Sequence, residues 1–151
     1  MLIEVRHNAF DPLAELSRYQ ETHVPATHVG ALAIFVGTMR DYNEGSSVRK
    51  MTLEHYPGMT ERQLQYIVDE ARSLWPFDDA LVIHRVGELF PADPIVLVAV
   101  WSSHRGTAFD ACRHILEALK HRAPFWKKES LEQGGRWVQT NTDGYPPPPG
   151  P

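Results

Sequence analysis

From Met59 to Trp75, the apolar residues Leu64, Ile67, Val68, Ala71 and Leu74 recur at intervals of three and four. Pro57-Gly58 stands before this run and Pro76 after it. The spacing places the apolar side chains on one face of a helix, and the flanking residues stop it at both ends. One such helix cannot bury its own face, so the rest of the chain must supply a layer for it to cover.

Short β-branched and aromatic runs offer that layer. Gly30–Met39 predicts a strand largely shielded from water, followed by a polar loop from Arg40 to Ser47. Val48–Tyr56 predicts a second strand, with Met51, Leu53 and His55 on one side, pairing with the first across that loop. Ala80–Val86 and Ile95–Ser103 predict two more, joined by a turn at Pro91-Ala92-Asp93-Pro94, and Met1–Val5 a short opening strand. Asp11-Pro12 is a helix start, with Leu13, Leu16 and Tyr19 on its inner face and Pro25 beyond its end. Gly106 to Arg122 predicts a long helix with Ala108, Phe109, Cys112, Leu116 and Leu119 inward, closed by Pro124. Phe125–Leu131 and Arg136–Val138 flank Gly134-Gly135 as a hairpin. Strands and helices mixed in this order, with antiparallel pairing, predict an α+β fold: one domain over residues 1–145 and a Pro-rich mobile tail over 146–151.

Composition excludes several classes. Cys112 is the only cysteine among 151 residues, so a disulfide framework and a Cys-based zinc cluster are excluded. The eight histidines show no HExxH or comparable ligand spacing, and no metal or cofactor is expected. No apolar run nears the roughly 18–20 residues of a membrane span, and Glu4 interrupts any basic leader, so a cytoplasmic protein is expected. The formal net charge is −4, yet from His104 to Lys128 six Lys/Arg face only Asp110 and Glu117. A basic segment on an acidic chain reads as a local anion site rather than a nucleic-acid surface.

Three constellations could carry chemistry. Ser102-Ser103-His104-Arg105-Gly106-Thr107 joins a strand to a helix N-terminus, where free N–H groups and an arginine suit an anion. Lys120 and Lys127 bracket the turn at Pro124, and Phe125 and Trp126 could shield them, lowering a lysine pKa toward a useful range. Arg40 follows a strand end. Each has an ordinary alternative: a helix cap, surface lysines at a helix C-terminus, a surface arginine. His84-Arg85 sits within a strand pattern and reads as structural, and Cys112 reads as core.

Taken in order, Phe35-Val36-Gly37-Thr38-Met39-Arg40, Leu53-Glu54-His55-Tyr56, His84-Arg85-Val86-Gly87, Ser103-His104-Arg105, Ala108-Phe109, Lys120 and Pro124-Phe125-Trp126-Lys127-Lys128-Glu129 resemble one family, the large catalytic subunit of molybdopterin synthase. The resemblance runs over nearly the whole domain. It implies an α/β hammerhead with an additional antiparallel β subdomain. It implies sulfur transfer to cyclic pyranopterin monophosphate, forming a dithiolene in molybdenum cofactor biosynthesis. The sulfur donor it implies is a ubiquitin-like small subunit with a C-terminal Gly-Gly thiocarboxylate, bound to a homodimer within a heterotetramer. Lys120 and Lys127 match the family's catalytic lysines, and Arg40, His104 and Arg105 match its substrate-binding residues. A non-catalytic phosphate- or nucleotide-binding module is the competing reading. It keeps the arginines but gives no reason for the paired lysines. An RNA-binding domain is disfavoured by the acidic remainder and the lack of stacking aromatics.

Overall fold

The computed structural model describes residues 1–43, 45–131, 134–138 and 144–145. Its larger sheet has the strand order β1 (Leu2–Arg6), β5 (Asp79–Arg85), β7 (Pro94–Ser102), β2 (Ala31–Thr38). β1 runs parallel to β5, while β5–β7 and β7–β2 are antiparallel. The smaller sheet runs β3 (Tyr42–Asn43), β4 (Ser46–His55), β8 (Phe125–Leu131), β9 (Gly134–Val138), and β6 (Gly87–Leu89) also pairs β4. With helices α1 (Pro12–His23), α2 (Met59–Leu74) and α3 (Arg105–Arg122), this is the expected α+β hammerhead with an added antiparallel β subdomain.

β5 and β7 are buried on both faces, which explains their unbroken apolar sequences. Strand alternation sends Val82, Val98 and Val100 to one face, where Leu64, Ile67 and Val68 of α2 and Ala108, Ala111 and Ile115 of α3 cover them. Leu81, Ile83, Leu97 and Trp101 point the other way, under Leu16 and Tyr19 of α1. A third cluster, with Met51, Leu53, Val86 and Leu89, lies beneath the small sheet. Each fully buried Leu, Ile or Val contributes roughly 1.5–3 kcal/mol relative to exposure. Asp11 caps α1 by accepting from the N–H groups of Leu13 (3.0 Å) and Ala14 (3.2 Å). Glu61 closes the start of α2 by accepting from the Gly58 N–H at 2.6 Å.

Several details depart from the sequence expectation. Leu13, Leu74 and Phe109 are exposed, because the buried arcs of their helices are narrower than the apolar arcs. β2 is an outer strand with one uncovered face, so Leu32, Ile34 and Val36 alternate outward at 36%, 44% and 36% exposure. β4 does not pair with β2. The chain reverses earlier, at Gly45, whose φ of +79° suits glycine, and the β3–β4 turn carries β4 into the small sheet. β6, three residues long, carried no sequence signal. Gly30 stands just before β2, where a Cβ would lie 2.4 Å from the Ser103 carbonyl oxygen, so only glycine fits this close approach. The Pro-rich tail lies outside the described residues. Among the described residues, no helix is long and apolar enough to cross a membrane.

Candidate active site

α3 ends at Arg122 with Lys120, His121 and Arg122 in its last turn, where positive charge opposes the exposed carbonyls. The chain turns at Ala123-Pro124, and the Phe125 N–H donates back to the Ala123 carbonyl at 2.9 Å. Thr60, fully buried at the start of α2, holds this corner. Its hydroxyl donates to the Pro124 carbonyl at 3.1 Å and accepts from the Tyr56 N–H at 3.0 Å. β8 then leaves the corner with Phe125, Lys127, Glu129 and Leu131 on one face.

Lys120 from the helix and Lys127 from the strand line one cavity of about 110 Å³. Phe35, Gly37, Thr38, His84, Val96, Leu119 and Phe125 complete most of its wall. Burial, together with the Lys120 charge, holds the Lys127 ammonium below the usual lysine range, and Glu129 offsets part of this. Glu129, two residues further along the same face, is 5% exposed and accepts from Asn43 and Arg136. His84 stacks on Phe125, with ring centroids 4.0 Å apart. Burial pushes its pKa down to about 4, against the pull of the Arg85 carbonyl, and Lys127, Lys120 and His55 add to the fall.

The shielding expected of the aromatics is half realised. Phe125 lines the cavity, but Trp126 points to the opposite face of β8 and is 45% exposed, grouped with Tyr56 and Trp137. Strand alternation makes this unavoidable for neighbouring residues. Cys112 is core: burial pushes its thiol up to about 11, where it is unreactive.

The five site residues expected from the sequence do not converge within one chain. Arg40 follows the end of β2 that borders the cavity, where the Met39 N–H donates to the Asp93 carbonyl. His104 and Arg105 sit exposed at the start of α3, beside Ala31, which pairs Ser102 at the other end of β2. Arg105 and Lys120 are fifteen residues apart on one helix, about 22 Å along its axis. His84 is the residue that sequence reasoning assigned to structure alone. Its signal was its position in the series shared with the family, and nothing local marked it.

Fold and site together define a class: a mixed α+β domain in which a helix end and a strand present paired lysines to one cavity. The sequence profile of the MoaE protein family matches residues 5–122. The molybdopterin synthase catalytic subunit of Ralstonia nicotianae is 55% identical over 136 residues, spanning 90% of this chain and 76% of that protein. A molybdopterin biosynthesis MoaE protein from Burkholderia ambifaria superimposes with a TM-score of 0.77 at 46% identity, covering 95% of this chain and 92% of that one. The crystal structure of molybdopterin synthase from Staphylococcus aureus superimposes with a TM-score of 0.81 at 32% identity, covering 90% and 96% respectively. The chain belongs to the MoaE family.

Proposed function

We propose that this chain is the catalytic subunit of a molybdopterin synthase, transferring sulfur to cyclic pyranopterin monophosphate to form the molybdopterin dithiolene. The observation that carries this is the shared lysine cavity. Two ammonium groups in a partly desolvated space suit an anionic donor end and a phosphate-bearing substrate. The sulfur arrives as the C-terminal thiocarboxylate of a ubiquitin-like small subunit whose Gly-Gly end enters the cavity. Lys127 is the proton donor to the departing oxygen, since its depressed pKa makes it a stronger acid than an ordinary lysine. Once the sulfur has bonded to the substrate, water attacks the acyl carbon of that thioester, Lys120 stabilises the oxyanion formed, and the C–S bond breaks to release the small subunit as its carboxylate with the sulfur left on the substrate. The reaction belongs to the cytoplasm.

The working unit in this reading is a homodimer within a heterotetramer. The uncovered face of β2, with Leu32, Ile34 and Val36, supports a twofold contact there. With that axis perpendicular to the strands, the two copies of β2 run antiparallel. The His104–Arg105 end of one copy then faces the Arg40 end of the other, so Arg40, His104 and Arg105 hold the substrate anion around each lysine cavity. The experiment is incubation with the pterin precursor and thiocarboxylated small subunit, followed by detection of the dithiolene. No product at stoichiometric protein would sink the assignment.

A further inference from the structure

His84 has no task in the lysine chemistry, yet it lines the same cavity while only 6% exposed. Its Nδ1 lies 2.8 Å from the Arg85 carbonyl oxygen, which can only accept, so Nδ1 carries the proton. Nε2 is therefore a lone-pair acceptor. Among the described residues it has no hydrogen-bond partner. The charged and titratable groups around the ring are Lys120 from α3, Lys127 from β8 and His55 from β4, with Arg85 beside it on β5. All of the lysine N–H groups are donors, and Phe35 and Leu119 offer nothing polar.

A cavity of about 110 Å³ has the volume of three or four waters, enough for a chain end without side chains. Such an end brings backbone N–H groups into a space where an unpaired donor is costly. Thr38, the other uncharged side-chain acceptor of the wall, is exposed. We propose that His84 Nε2 accepts a backbone N–H from an extended peptide end whose terminal carboxylate or thiocarboxylate lies against Lys120 and Lys127. This assignment rests on the cavity reading above and adds a recognition contact for the peptide itself. Burial and the two lysines keep the imidazole neutral through the physiological range, so the acceptor persists where a protonated histidine would repel the N–H.

The test uses the whole chain and a short synthetic peptide ending in Gly-Gly, with the amide N–H of each glycine replaced in turn by an ester oxygen. By calorimetry, one of the two ester analogues binds the wild-type chain about tenfold more weakly than the amide. His84→Phe keeps a ring against Phe125 but has no acceptor, and it binds peptide and analogue alike. His84→Gln restores part of the discrimination. In the wild-type chain the 15N resonance of Nε2 moves when the amide peptide binds, a readout that does not depend on any variant folding. Undiminished discrimination in His84→Phe, or an unmoved Nε2 resonance, overturns the assignment and leaves the cavity reading standing. A peptide that does not bind the wild-type chain overturns both.

Discussion

Asn43 reaches across the small sheet to Glu129: its side-chain amide donates to a carboxylate oxygen at 2.6 Å, although β4 lies between their strands. The other Glu129 oxygen accepts from Arg136 Nε at 2.9 Å, and Arg136 donates to the Asn43 carbonyl at 2.9 Å. These contacts close the sheet's two outer strands on each other, fixing the segment after Arg40 to the strand that carries Lys127. Removing the buried carboxylate takes away the acceptor that the Asn43 amide and Arg136 Nε share. Glu129→Ala is expected to lower stability by about 3 kcal/mol, with Glu129→Gln losing less because it still accepts from Asn43. Denaturant titration decides this, and equal midpoints for Glu129→Ala and wild type would refute the clasp.

Lys120→Ala and Lys127→Ala are each expected to reduce dithiolene formation to near background. Neither lysine contributes to an apolar cluster, so cooperative melting should survive both changes. Product rates within about twofold of wild type for both variants would remove them from the chemistry.

If each site draws its anion-binding groups from two chains, defects in different parts should complement. Lys127→Ala and Arg105→Ala homodimers are each expected to be nearly inactive. Mixed one to one and allowed to exchange, half the dimers are mixed and each holds one intact site. Activity near a quarter of wild type is the expected result. No recovery, with exchange shown by native mass spectrometry, would place the whole site in one chain.

Ile34, 44% exposed at the middle of β2, tests the contact that such sharing needs. Ile34→Glu is expected to give a monomer by light scattering while the circular dichroism spectrum stays unchanged. A dimer of undiminished stability would move the interface elsewhere.

His84 makes stability depend on acid. Its folded pKa of about 4 lies below the ordinary histidine value, so between pH 6.5 and 4 the unfolded chain binds a proton that the folded chain refuses. Stability is therefore fully present above pH 6.5 and falls as pH drops toward 4, by roughly 3 kcal/mol at most. Melting temperatures across that window should flatten in His84→Phe. A slope unchanged by the substitution would assign the effect to other groups.

What could be read from the sequence follows from how local each signal is. α2 was legible because Leu64, Ile67, Val68 and Ala71 carry their periodicity within four turns, whereas Leu74 and Phe109 keep the period but fall outside the buried arcs of their helices. The partner of β2 was not legible, because nothing in Gly30–Met39 distinguishes β4 from β7 as its neighbour; the turn at Gly45 decides it. Lys120 and Lys127 could be paired from the sequence because a single corner joins them. The separation of Arg105 from Lys120 was also implicit, since both lie on one helix, but its consequence needs the direction of β2. His84 was hidden because a strand histidine's role depends on what faces it, here residues 36 and 43 positions away along the chain.

The corner at Pro124 is pinned by the hydroxyl of Thr60, a residue on a helix that presents no group to the cavity. The spacing between the two ammonium charges is thus inherited from α2, much as the gap of a calliper is set by its pivot rather than its tips. Substitutions at the start of α2 should accordingly register as changed turnover before they register as lost structure, and a search for altered rates that inspected only the cavity wall would overlook them.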